Sequence, residues 1–138
     1  MAKPRNFLFV CKGNDARSQM AEGFAKEMAQ SVVNVFSAGQ TPRDINNYAA
    51  DVMEELGIDI REQATRSFKD VPVNKIDTVI TLSSDSDPLP KMKKAKVTQI
   101  HWPLTDPTTA RGTEAEVKKA YRAVRDEIRN RVQVLLVG

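Results

Sequence analysis

Hydrophobic residues first gather in the run Asn6-Phe7-Leu8-Phe9-Val10, which is rich in β-formers and has no polar alternation. Such a run predicts a strand buried on both faces of a parallel sheet. The period then changes. From Ser18 to Met28 the residues Met20, Phe24 and Met28 recur at i, i+4 and i+8, which predicts a helix, and Gly13 and Asn14 before it predict a tight loop. Val32 to Ser37 predicts a second strand. A helix follows from about Asn46 to Leu56, with Ala49, Met53 and Leu56 on one face and Gly57 placed to stop it. Thr78 to Leu82 and Val97 to His101 predict a third and a fourth strand. Thr113-Glu114-Ala115-Glu116 has the form of a capping box, after which Val117, Ala120, Val124 and Ile128 line one stripe of a last helix. Strands alternating with helices predict an α/β fold: a single three-layer domain over residues 1–138, with a central, mostly parallel sheet flanked by helices. Ligands of such sheets bind at the carboxyl ends of the strands, so the loop after the first strand is the first candidate.

Composition narrows the classes without changing that picture. A chain of 138 residues has the length of one domain, and 28% charged residues beside 41% hydrophobic ones are ordinary for a globular protein, with no sign of a disordered tail or a repeat. The net charge is only +3, and the most basic run, Lys91-Met92-Lys93-Lys94-Ala95-Lys96, lacks the interleaved aromatics of a nucleic-acid platform. It reads as a solvated face. Met1 to Arg5 lead into an apolar run too short for a signal-peptide core or a membrane span, which predicts a cytoplasmic protein with no membrane partner. A monomer with no nucleic-acid partner is expected. The single cysteine, Cys11, excludes an internal disulfide and an all-cysteine metal site.

The candidate loop reads Cys11-Lys12-Gly13-Asn14-Asp15-Ala16-Arg17-Ser18, and each part has a task if an oxyanion sits inside it. Gly13 and Asn14 allow the backbone to curl with positive φ so that successive N–H groups point inward. The helix that follows adds its own orphan N–H groups and the positive end of its dipole. Arg17 offers a planar fork for two oxygens of the anion, and the same positive field favours the thiolate of Cys11 as a nucleophile. Ser18 either donates its hydroxyl to that thiolate or caps the helix. A Cys followed six positions later by an Arg is a weak signal alone. The strand before, the Gly-Asn pair within and the helix after are what separate it from an inert buried cysteine.

The stretch from Phe9 to Ser18 resembles the active-site loop of the low-molecular-weight protein tyrosine phosphatase superfamily. The continuation Gln19-Met20-Ala21-Glu22, with Phe36-Ser37-Ala38-Gly39, Thr81-Leu82-Ser83-Ser84-Asp85, His101-Trp102, Asp106-Pro107 and Val124-Arg125-Asp126-Glu127-Ile128, is similar to its thioredoxin-coupled arsenate reductase branch. The resemblance spans nearly the whole chain. It implies that residues 12 to 18 bind the oxyanion, and that Cys11, Arg17 and Asp106 are catalytic, with Asp106 protonating the leaving group from a rigid Asp-Pro turn. His101, the only histidine, has no required role beside a thiolate already stabilised by the loop, and a structural place at a strand end suits it better. Trp102 either walls the pocket or belongs to the core.

Two departures matter. Arsenate reductases of this branch pass a disulfide from the loop cysteine to further cysteines, but here the in-loop position is Ala16, and Leu82-Ser83-Ser84-Asp85-Ser86-Asp87-Pro88 carries serines only. An internal cascade is therefore impossible. The leading expectation is a cysteine-dependent phosphatase that hydrolyses phosphomonoesters through a phosphocysteine, although Thr108 and Thr109 stand where tyrosine phosphatases usually carry aromatics. The alternative is an arsenate reductase in which an external thiol or redoxin resolves the Cys11 adduct, with no other cofactor required. A third is a catalytically silent oxyanion-binding protein such as a sensor. The resemblance also implies a potassium site at Asn14, Glu22 and Ser37, but Arg66 replaces the carboxylate expected there and could itself fill the electrostatic role of the ion.

Overall fold

The computed structural model describes residues 5–29, 33–83 and 97–137. The first and second strands, β1 (Arg5–Val10) and β2 (Val33–Ala38), flank α1 (Arg17–Met28) in the chain. They are followed by α2 (Asn47–Glu54), a 3-10 turn at Phe68–Asp70, β3 (Thr78–Thr81), β4 (Thr98–His101), a second 3-10 turn at Pro107–Thr109, and α3 (Glu114–Val137). Every predicted element is present, with ends shifted by a residue or two. The Lys91–Lys96 run and most of the serine-bearing segment after β3, from Ser84 onward, lie outside the described residues.

All four strands pair in parallel in the order β2-β1-β3-β4. β1 thus lies in the middle, and the chain leaves it first to one side and later to the other. The carboxyl end of β1 is therefore the topological switch point, where a crevice opens in sheets of this kind. Alternation along β1 feeds two cores. Phe7 and Phe9 face Met20, Phe24, Met53, Ile80, Tyr121 and Ile128 from the three helices and the sheet, while Leu8 and Val10 face Val71, Ile76 and Val79 on the opposite side. Burial on both faces is why β1 reads as an unbroken apolar run.

The helices are fixed by local signals and by one charged clamp. Asn46 caps α2 by accepting the Ala49 N–H at 3.0 Å. Thr113 and Glu116 exchange the two bonds of the capping box at the start of α3. The buried stripe of α3 runs through Tyr121, Val124, Ile128 and Val132. Arg125 on the same helix donates to the Val52 carbonyl and to Glu55, which also takes a two-pronged bond from Arg122. The end of α2 is so fastened to α3. α1 differs from both: residues 17 to 25 are all buried, because the sheet, α2, α3 and the segment around residues 58–66 surround it. No described helix is long and apolar enough to cross a membrane.

Candidate functional site

The loop after β1 is held from outside by its carbonyls. Lys12, Gly13 and Asp15 give their C=O groups to the N–H groups of Thr41, Arg43 and Asn46 at 3.1, 2.9 and 2.9 Å. The opposite side of those peptides then faces the loop interior, and among the described residues no acceptor engages the N–H groups of residues 12 to 17. A ring of free donors above a helix N-terminus can accept an anion. Beneath it Gly39 comes so close that an added Cβ would stand 2.7 Å from the Cys11 and Lys12 carbonyl oxygens and 2.8 Å from the Asn14 nitrogen. Only glycine fits.

The curl expected of Gly13 and Asn14 together is made by Asn14, whose φ is 49°. Gly13 has no positive φ; its missing Cβ instead leaves room for the Arg43 side chain, whose nitrogens lie 2.7 and 2.8 Å from the place a Cβ would take. Asn14 is fully buried, and its side-chain Oδ1 accepts from the Arg66 N–H at 2.7 Å and from Gln19 Nε2 at 3.2 Å. The amide orientation follows: Nδ2 must donate, and it does so to Ser18 Oγ at 2.9 Å. With that oxygen accepting from Asn14, the Ser18 hydroxyl hydrogen is left for Cys11 Sγ, 2.9 Å away. Ser18 is therefore wired to the cysteine rather than to the helix end, where Ala16 occupies the cap position without a side-chain bond. Cys11 Sγ is then the acceptor of that bond.

Arg17, the first residue of α1, reaches across the carboxyl ends of the sheet. Its Nη1 donates to the carbonyls of Leu82 and Leu104 at 3.1 and 3.2 Å, which fixes the plane of the guanidinium, and its Nη2 lies 3.5 Å from Asp106 Oδ2. Asp106 caps the 3-10 turn that begins with Pro107, accepting from the Thr108 N–H and hydroxyl at 3.0 and 2.7 Å. Partial burial pushes its carboxyl up, but the two bonds from Thr108 and the charges of Arg17 and Arg43 outweigh this and leave it below the ordinary Asp value. Arg17 and Asp106 are thus paired at the end of the sheet where Cys11 follows β1.

The other residues expected at the site lie as follows. Lys12 is exposed, Ala16 is buried, and Asp15 faces Arg43, with 3.6 Å between Oδ2 and Nε. Asn14, Glu22 and Ser37 lie beneath the loop, where Glu22 accepts from Ser37 and Arg66 through Oε1 and from Lys26 through Oε2. Among the described residues no group of three or more His, Cys, Asp or Glu side chains converges. His101 pairs through Nδ1 with Thr81 Oγ1 at 2.8 Å on β4, and Trp102 packs in the core, its ring 5.9 Å from that of Phe9. The sequence reading missed two side chains. Gln19 serves both Asn14 and the Ala64 carbonyl from within α1, and Arg43 covers Gly13. No local signal marks the tie from Gln19 to Ala64 or the cover that Arg43 gives Gly13, since those partners lie far along the chain.

The geometry has a known counterpart. The family model for low molecular weight phosphotyrosine protein phosphatases matches residues 6–137. An arsenate reductase of Bacillus subtilis (strain 168) is 40% identical over 125 residues, which cover 91% of this chain and 90% of that protein. Arsenate reductase 1 of Staphylococcus epidermidis is 35% identical across 94% of this chain and 93% of its own. A solved arsenate reductase in the phosphate binding state superposes with a TM-score of 0.83 at 32% identity, covering 96% of this chain and 97% of the other. Both the family and these relatives are enzymes. The chain belongs to the low molecular weight phosphotyrosine protein phosphatase family, and the relatives named above are arsenate reductases.

Proposed function

We propose that this protein reduces arsenate to arsenite, with Cys11 as the nucleophile and an external thiol as the reductant. The observation that carries the reading is the Cys11 sulfur accepting the Ser18 hydroxyl at the floor of a ring of free N–H groups, in a chain whose relatives bear the name arsenate reductase. Cys11 thiolate attacks arsenic, and one arsenate oxygen leaves as water, protonated with help from Asp106. Arg17 and the loop N–H groups hold the remaining oxygens. A thiolate from outside then attacks the Cys11 sulfur. The S–As electron pair departs with arsenic, which falls from the +5 to the +3 state and leaves as arsenite, while Cys11 is left in a mixed disulfide. A second thiol restores Cys11 and closes the external disulfide, so two thiols supply the two electrons. Because Cys11 is the only cysteine, no thiol of the chain itself can do this. Dependence on reduced thiols supports a cytoplasmic location.

This order reverses the one suggested by the sequence, where hydrolysis of phosphomonoesters came first. Hydrolysis keeps one specific support: Cys11, Arg17 and Asp106 are the complete set for a phosphocysteine route, with Asp106 3.5 Å from Arg17. The deciding experiment follows arsenite formation from arsenate, with and without added glutathione, mycothiol or a redoxin, beside phosphate release from an aryl phosphate. Arsenite that appears only with a thiol, and not with Cys11→Ser, is the expected outcome. Arsenite without any added thiol would overturn the external-thiol step. Aryl phosphate hydrolysis with no arsenite under any condition would establish the phosphatase instead.

A further inference from the structure

Glu22 is completely buried behind the loop and touches none of the reacting groups, yet it gathers three donors. A buried carboxylate is retained only where its partners compensate its desolvation, so the question is what those partners do. Lys26 lies one turn along α1 and half exposed, an ordinary i,i+4 mate. Arg66 is different, because it makes three connections at once. Its guanidinium Nη1 is 3.2 Å from Glu22 Oε1, its carbonyl takes the Gly39 N–H at 3.0 Å, and its own N–H is the 2.7 Å donor to Asn14 Oδ1. The Glu22 contact anchors the side chain, and the backbone on either side of it then grips both the glycine beneath the loop and the asparagine that turns it.

We propose that Arg66 is a positioning residue for the nucleophile and serves as the loop's own built-in cation, so that the anion seat forms without an added monovalent ion. Donation runs from the Arg66 N–H to Asn14, from Asn14 to Ser18 and from Ser18 to Cys11, and the pairing with Glu22 holds the first donor in place. The potassium ion implied by the family resemblance does not fit this donor set. The carboxylate that would carry its charge balance already faces two cations, Arg66 and Lys26. A third positive charge there would be repelled.

The proposal rests on reading the Cys11 loop as an oxyanion seat, and the test separates the two. Inorganic phosphate binding is measured by calorimetry in potassium chloride and in choline chloride at equal ionic strength, for the wild type, Arg66→Ala and Arg66→Lys. The wild type is expected to have the same Kd in both salts. Arg66→Ala is expected to bind about tenfold more weakly in choline chloride, equivalent to about 1.4 kcal/mol, and to recover part of that loss in potassium chloride. Arg66→Lys, which keeps the charge, is expected to restore binding in choline chloride, which repair of packing alone would not do. A wild type that binds phosphate more tightly in potassium would overturn the built-in cation, as would a folded Arg66→Ala with unchanged affinity. If Arg66→Ala does not fold, the wild-type comparison and Arg66→Lys decide alone. No phosphate binding by the wild type in either salt would sink the oxyanion seat itself, and the proposal with it.

Discussion

The loop from Cys11 to Ser18 and the turn from Asp106 to Thr109 meet at Arg17, yet they are built in opposite ways. The loop is buried, apart from Lys12 and in part Asp15, and is tied to distant segments at 38–46 and 64–66 through both backbone and side chains. The turn is largely exposed, and the bonds of its carboxyl apart from the Arg17 contact are local ones to Thr108. Remote ties suit a group that must not move when a bound anion changes charge and shape, since preorganised donors cost nothing to reorient. Local ties suit the carboxyl that the proposed function asks to trade a proton and to let go of Arg17 when an oxyanion claims the guanidinium. On that proposal, the contrast separates holding from proton transfer.

Gly39→Ala strikes hardest at the holding side. Its methyl group would collide with backbone oxygens that have no rotamer to escape into. The expected cost is about 1–3 kcal/mol of stability, read as a lowered denaturation midpoint, together with a loss of phosphate affinity measured by calorimetry. A variant with full affinity would mean that the loop tolerates displacement.

Asp106→Asn addresses the other side. Turnover is expected to fall by about 10²-fold while the Kd for phosphate changes little, because the amide still fills the turn but has no proton to give. Steady-state rates beside calorimetry would check this, and a parallel fall in affinity would show that the turn also holds the anion.

The smallest effect is expected away from both regions, at the clamp between α2 and α3. The Arg122 hydrogen bond, followed by Arg125, holds the Glu55 carboxyl at about 2, against 4.5 when unperturbed. The folded protein therefore takes up the proton less readily than the unfolded chain, and the stabilisation is full above 4.5 and fades as pH falls toward 2. Since the carboxyl is more than a third exposed, Glu55→Gln should cost no more than about 1 kcal/mol near neutral pH and nothing in strong acid, as thermal melts of the two proteins would show.

Periodicity made most of the fold legible, because β1, α2 and α3 each bury one consistent pattern. α1 was found through Met20, Phe24 and Met28, but its character was hidden. Residues 17 to 25 of the helix have no solvent face, so Gln19 and Glu22, which would read as surface residues, are interior connectors. The candidate loop was legible because its parts are consecutive in the chain. What supports it was not: Gly39, Ala64 and Arg66 reach it by parallel pairing and by the bridge between Gly39 and Ser67, contacts that no spacing rule along the chain encodes. The positive φ was placed in the right pair of residues and belongs to the less obvious one.

That last detail has a consequence for which substitutions the loop can accept. Asn14 supplies at once the bend of the backbone and a two-ended connector that takes hydrogen bonds on one side and gives one on the other. Glycine would keep the bend and cut the connection. Aspartate would keep the bend and accept from Arg66, but it would offer Ser18 a second acceptor in place of a donor and turn the serine away from the sulfur. Two requirements that residues elsewhere satisfy separately are here fused in one position, which leaves it with almost no vocabulary.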